Sequence, residues 1–319
     1  MAFSATDAAL EGFRIARAKP KAMLIWTAAS LAISLLATVA TIVLFGDTLT
    51  QIMAASETAE SDPTQIFALM GQMAVFYLFL IPFVLLIFSI FTTAVYRAVL
   101  KPDEDRLGYL RLGADEGRQA LVLFVLGLLG FAVSMAAMIV MILIVALIAG
   151  LVGVTGGGDS VAAGIGAALG VMFGYLALVA VSIAFWVKFS FAGPMTFAEK
   201  KLRIFGSWRA TKGHFWPLFG SYLLAFILGL LVAMLGGIIG FAAMAALGAP
   251  TAGGLFGMAE SMEGDFTSLA AYFTPAMIAN SIVSAFFSAL TYAIFLAPAA
   301  VAYREIVGVR GPGVADNFS

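Results

Sequence analysis

The chain has 319 residues, no cysteine and a single histidine, His214. Without cysteine there is no disulfide framework, no thiolate metal site and no cysteine nucleophile. A lone histidine leaves too few ligands for a zinc or haem centre, and no cofactor is expected. Charge is scarce too: 11% of residues are charged and 62% are hydrophobic, against about 25% and about 45–50% in a soluble globular domain. In water such a chain would expose far too much apolar surface. Lysine and arginine are also missing from every second stretch between the long apolar runs.

Those apolar runs lie at about 22–45, 67–97, 119–150, 162–192, 217–247 and 275–303. Each reaches or exceeds the roughly 20 residues a helix needs to cross hydrocarbon. Basic residues occur before the first run (Arg14, Arg17, Lys19, Lys21), after the second (Arg97 to Arg118), around the end of the fourth (Lys188 to Lys212) and after the sixth (Arg304, Arg310). The alternate loops hold only acids: Asp47 to Asp62, Asp159, and Glu260 to Asp265. All 17 basic residues therefore fall on one side, which the positive-inside rule makes cytoplasmic. The expected fold is an all-α polytopic membrane protein of one domain, residues 1–319. Its six transmembrane helices form three hairpins, and both termini (residues 1–21 and the tail 304–319) are cytoplasmic. Residues 1–21 are mixed polar and basic, and the first run is too long for an h-region, so no cleavable signal peptide is predicted.

Residues 4–18 predict a short amphipathic helix. Ser4 is placed to cap it with Asp7 three residues on, and Leu10, Phe13 and Arg17 share a stripe. Gly206-Ser-Trp208-Arg209-Ala-Thr-Lys212 is similar to Gly12-Phe13-Arg14-Ile-Ala-Arg17: an aromatic, an adjacent base, a second base three later, then a span. The span exits also rhyme, Ala94-Val-Tyr96-Arg97 with Ala300-Val-Ala-Tyr303-Arg304. The pattern reads as three hairpins, each preceded by a cytoplasmic amphipathic segment. Between the fifth and sixth spans, Phe266, Leu269, Ala270 and Phe273 predict a short interfacial helix.

The run Pro194 to Glu199, followed by Gly206-Ser-Trp208-Arg-Ala-Thr-Lys-Gly-His214-Phe-Trp216 and a glycine-rich span, resembles a group of bacterial six-helix membrane proteins. That group is related to the membrane domain of some glycerophosphodiester phosphodiesterases. The resemblance covers most of the chain in topology and about 25 residues in motif. It implies an all-helical bundle in the bacterial cytoplasmic (inner) membrane. No phosphodiesterase domain is present, so it implies no phosphodiesterase activity.

Catalytic constellations are missing. His214 sits beside Phe215 and Trp216 at a span entrance, and no Gly-x-Ser-x-Gly elbow accompanies it. Gly156-Gly-Gly158 is followed by no Lys-Ser/Thr, so it is not a phosphate loop. Asp103-Glu104-Asp105 and Asp115-Glu116 either bind a metal or form surface ion pairs, and the bases interleaved with them favour the ion pairs. No charge lies deep in a span. Lys188, about 7–8 Å inside a helix end, either snorkels or contacts a lipid phosphate. Gln72, Asn280, Ser284 and Ser288 either line a polar path or bond to helix carbonyls. Pro82 and Pro298 predict kinks in the second and sixth spans.

Two features point to partners. Arg14, Arg17, Lys188, Trp208, Arg209, Lys212, His214 and Trp216 form an aromatic and basic belt suited to anionic membrane lipids. No nucleic-acid reader is expected. Gly166, Gly170 and Gly174, and Gly229 with Gly237, recur at the spacing that lets helices approach closely, and Gly236 with Gly240 makes a second small pair. They serve packing within one subunit, a homo-oligomer or another protein partner; five other helices needing partners favour the first. The expected function is a non-enzymatic membrane module binding lipids or partner proteins at the inner leaflet. The alternative is a transporter or channel for a neutral or amphiphilic solute.

Overall fold

The computed structural model describes residues 3–57, 63–155, 160–248 and 268–308. Their regular elements are helices, and no strand occurs among them. In chain order these are α1 (Ala5–Ala18), α2 (Pro20–Glu57), α3 (Pro63–Leu100), α4 (Ala114–Thr155), α5 (Ser160–Phe189), α6 (Ala192–Glu199), α7 (Gly206–Ala210), α8 (Phe215–Ala246), α9 (Leu269–Tyr272) and α10 (Pro275–Tyr303). Six of them, α2, α3, α4, α5, α8 and α10, are long and apolar enough to cross a membrane. The chain is a multi-pass helical membrane protein.

Local chemistry explains where helices begin. Proline opens α2, α3 and α10, where its missing N–H costs nothing and its fixed φ already suits a helix. Ser4 accepts a hydrogen bond from the Asp7 amide at 3.3 Å, as expected. Thr274 caps α10 through the Met277 amide at 3.2 Å. The helices run past the apolar runs: α2 and α3 have 38 residues each, about 57 Å at 1.5 Å per residue, well beyond the roughly 30 Å hydrocarbon core. Pro82 and Pro298 lie inside α3 and α10.

α10 is the centre of the bundle, with α1, α2, α3 and α8 packed around it. α4 and α5 form a tight hairpin joined to the rest through α3 and α6, and α2 rests more on α10 than on α3. Ala289, Ala293 and Ala297 are fully buried along one face of α10, a small-residue stripe at i, i+4 spacing that lets neighbours come close. α1 makes the closest approach. A Cβ on Gly12 would stand 2.5 Å from the Ile294 Cα and 2.6 Å from its backbone nitrogen, so only glycine fits this crossing. The crossing also corrects the expected face of α1. Its buried residues are Ala8, Ala9, Gly12 and Ile15, while Arg17 is exposed and Leu10 and Phe13 are half-buried. Backbone contact selects small side chains over large ones.

The glycine stripes pack inside the subunit. Gly170 faces Val145 and Gly174 faces Met141, both on α4; Gly166 is buried. On α8, Gly229 faces the Phe295 ring, Gly236 faces Phe287 and Gly240 faces Asn280, all on α10. Gly237 departs from the expected stripe: a Cβ there meets nothing within 4 Å. The face turned to α10 advances by seven and then four residues, so it passes through Gly236 and Gly240.

The fourth span, expected at about 162–192, is present and ends in a break. α5 stops at Phe189, and α6 starts anew at Ala192. The Ser207 hydroxyl holds this break: it accepts from the Phe191 amide at 3.0 Å and donates to the Lys188 carbonyl at 2.7 Å. Ser268 caps α9 through the Ala271 amide, so a short helix does precede the sixth span. Phe266, the glycine turn 156–158, Glu60, Asp62, Asp159, Glu260, Glu263, Asp265 and Arg310 lie outside the described residues.

Candidate functional site: a lateral cavity above a buried ion pair

A cavity of about 850 Å³ lies among α3, α4, α5, α6, α8 and α10. Its walls are overwhelmingly apolar, including Leu126, Leu178, Ile183, Phe219 and Phe295. It runs along α5 from Ser190 to Tyr175, about 22 Å at the helical rise. Tyr175, Trp186 and Phe226 border it and are more than half exposed. In a membrane those side chains face acyl chains, so the cavity opens sideways into the bilayer rather than to water. Volumes of about 300–1,000 Å³ are usual for small-molecule sites.

The end of the cavity nearest the basic residues is polar. Tyr96, Gln119, Ser190, Gly193 and Tyr222 meet there. Gln119 is 2% exposed, and its Oε1 has no hydrogen-bond partner. The Tyr222 hydroxyl is buried without a hydrogen bond of regular geometry, with Ser190 as a polar neighbour. A Cβ on Gly193 would lie 2.7 Å from the Tyr96 hydroxyl and 2.8 Å from the Gln119 Nε2. Glycine keeps this end open.

Beneath it lies a feature that contradicts the expectation of surface ion pairs. Arg97 is 2% exposed and Glu116 1%. The Arg97 guanidinium donates to Glu116 Oε1 at 2.7 Å and to the Tyr109 carbonyl, and it lies over the Phe197 ring. Asp115 stands 3.9 Å from Arg97 and binds Arg118 and Lys200. These charges tie α3, α4 and α6 together. Arg97 and Glu116 sit at helix ends near the basic side, where sequence hydropathy cannot tell a packed charge from a solvated one. Glu104 behaves nearer to expectation, pairing with Lys101 at 3.1 Å and Arg111 at 3.0 Å. Its partial burial opposes ionisation. The Lys101 hydrogen bond and the charges of Lys101, Arg111 and Arg97 outweigh that and hold its carboxyl below the ordinary range.

The turn joining α3 to α4 is clamped from α2. Leu107, Gly108 and Tyr109 all have positive φ, which costs free energy in the two residues with a Cβ. The Trp26 indole donates to the Gly108 carbonyl, and the Lys19 ammonium donates to the Tyr109 hydroxyl at 2.8 Å and the Ala98 carbonyl at 2.9 Å. These bonds hold the strained turn in place.

The expected belt divides into two parts. Lys188, Trp208, Arg209, Lys212, His214 and Trp216 collect where α5 ends, along α7 and at the start of α8. Lys188 lies over the Trp208 ring at 5.7 Å; Trp208, Arg209, Lys212 and Trp216 are exposed. The His214 Nδ1 sits 3.2 Å from the Lys212 carbonyl. Arg14 and Arg17 are on α1 instead. Arg14 is neutralised on its own helix by Asp7 at 2.5 Å and Glu11 at 3.4 Å, and the Arg14 and Ser4 hydrogen bonds hold the Asp7 carboxyl below its usual range.

The residues of the possible polar path are brought together only in part. Asn280, Ser284 and Ser288 line a second cavity of about 210 Å³ with Ser281 and, from α2, Ser30, Ser34 and Thr38. Gln72 is exposed on α3 and does not line it. The α2 residues were missed because spaced hydroxyls are common in transmembrane helices. No family model matches the chain, and comparison with curated proteins and with solved structures gave no match.

Proposed function

We propose that this protein is a non-enzymatic membrane module that holds a lipid in the lateral cavity and meets anionic headgroups with its aromatic and basic belt. The observation that carries this reading is the cavity itself. It is large, mostly apolar, open to the acyl chains and has most of its polar groups gathered at one end, which is the profile of an amphiphile. Within a bilayer an apolar cavity with a side opening is solvated by lipid, because water has too few partners there. The belt adds attraction for an anionic leaflet, about 1 kcal/mol per base near the surface. Among the described residues no acid pairs with Arg209 or Lys212.

The charge segregation supports a bacterial cytoplasmic membrane with both termini inside, in keeping with the motif resemblance to bacterial six-helix proteins. The chain has no cysteine, so one introduced cysteine is a unique reporter. An impermeant thiol reagent outside intact cells should label Ala270→Cys and spare Arg111→Cys; the reverse pattern would invert the topology.

Leu223 borders the cavity and is partly exposed, so Leu223→Trp should crowd the cavity's mouth without disturbing the core. Native mass spectrometry of gently extracted protein should show retained lipid in the parent and its loss in Leu223→Trp. Unchanged retention would sink the cavity reading. It would favour a second one, passage of a small neutral solute along the hydroxyl-lined cavity between α2 and α10.

A further inference from the structure

Resting on the reading that the lateral cavity holds a lipid, we infer that its occupant is uncharged and carries a hydroxyl, as a monoacylglycerol, a diacylglycerol or a long-chain alcohol does. The headgroup chemistry follows from which polar groups lining the cavity are already used. The Thr92 hydroxyl donates to the Phe88 carbonyl at 2.6 Å, Ser182 to Leu178 at 2.8 Å and Ser190 to Val187 at 2.8 Å. The buried Gln119 Oε1 is not used. A buried acceptor is disfavoured until a donor reaches it, and a ligand O–H or N–H supplies one. The Gln119 amide also offers its Nε2, and the Tyr222 hydroxyl is a donor with no regular bond. A single hydroxyl on the ligand satisfies both kinds of group, donating to one and accepting from another.

An ionised phosphate or carboxylate does not fit. A carboxylate brings no donor for Gln119 Oε1, and for either anion no lysine or arginine is among the side chains that line the cavity. Arg97, next to Tyr96 in the chain, spends its guanidinium on Glu116 and the Tyr109 carbonyl. Lys188, close to Ser190, has its ammonium over Trp208. An anion entering this apolar space would lose its hydration without a counter-charge. The cavity and the belt thus select opposite classes of lipid, neutral inside and anionic outside.

The test compares three ligands of similar chain length: monooleoylglycerol, oleoyl lysophosphatidic acid and 1-octadecene. Each is titrated into the full-length detergent-solubilised protein and its retention is read by native mass spectrometry. Binding that survives Leu223→Trp is assigned to the belt and subtracted. We expect monooleoylglycerol to bind the cavity at least about tenfold tighter than the lysophosphatidic acid. Gln119→Leu should bring monooleoylglycerol down to the level of octadecene while leaving octadecene unchanged. Tyr222→Phe, which keeps the ring, should weaken monooleoylglycerol several-fold and serves if Gln119→Leu does not fold. Equal or tighter cavity binding of the lysophosphatidic acid overturns the headgroup inference and leaves the lipid site standing. Absence of cavity binding by all three overturns both.

Discussion

The two ends of this bundle are held together by different physics. At the basic end, contacts are directional and partnered. Arg97 grips Glu116, Lys19 reaches Tyr109 across 90 positions of sequence, and Ser207 closes the break between α5 and α6. Toward the other end, among the described residues, the contacts between helices are mostly steric: Gly170 on Val145, Gly236 on Phe287, Gly240 beside Asn280. Hydrocarbon gives helices little hydrophobic reason to associate, so they stay together through polar bonds or close packing. α5 and α8 touch little, and the cavity lies between them.

The sharpest way to break this contrast is at the basic end. Glu116→Ala leaves Arg97 buried without its carboxylate, and thermal unfolding in detergent should show a loss of about 3–5 kcal/mol. Arg304→Ala, removing an exposed residue bonded to the Val99 carbonyl, should cost less than about 1 kcal/mol. If the two losses match, the buried pair is not the principal tie. Next in size is the packing contrast. Gly12→Ala should cost about 1–3 kcal/mol, since the added methyl meets backbone that cannot yield, whereas Gly237→Ala should stay within about 0.5 kcal/mol. Equal effects would mean that α1 does not cross α10 as closely as described.

The smallest effect concerns pH. Glu104 has a folded-state pKa below its unfolded value. Its contribution is therefore fully present above the ordinary carboxylate range and is lost as pH falls through the lowered folded value. The group is 38% exposed, so screening holds the contribution below about 1 kcal/mol. Subtracting Glu104→Gln from the parent across an acid titration should reveal a small difference at neutral pH that vanishes in acid. A difference that grows in acid would reverse the sign.

Six spans were legible because hydropathy over 20 or more residues is a long, redundant signal. The Ser4 cap was legible because it is local. The glycine faces of α5 and α8 were legible in spacing, though Gly237 was assigned to a face that the helix turns away from α10. The cavity was not visible, since Tyr96, Gln119, Ser190 and Tyr222 come from four elements and share no period. Arg97 and Glu116, 19 positions apart, look like any interfacial charges until the turn between them folds back. Gly12 gave no sign of its role, because its partner Ile294 lies at the far end of the chain.

That last contact sets a schedule for assembly. α1 leaves the ribosome long before α10, the helix it is shaped to cross. With about 280 residues between Gly12 and Ile294, synthesis at about 5–20 residues per second imposes a delay on the order of tens of seconds. Throughout that interval α1 is a newborn amphipathic helix with no permanent seat. Its Asp7–Arg14 pair limits its charge, and the membrane surface gives its apolar side a place to rest. α1, made before the helix it crosses, is then among the last to be locked, and the bundle closes around it when α10 arrives.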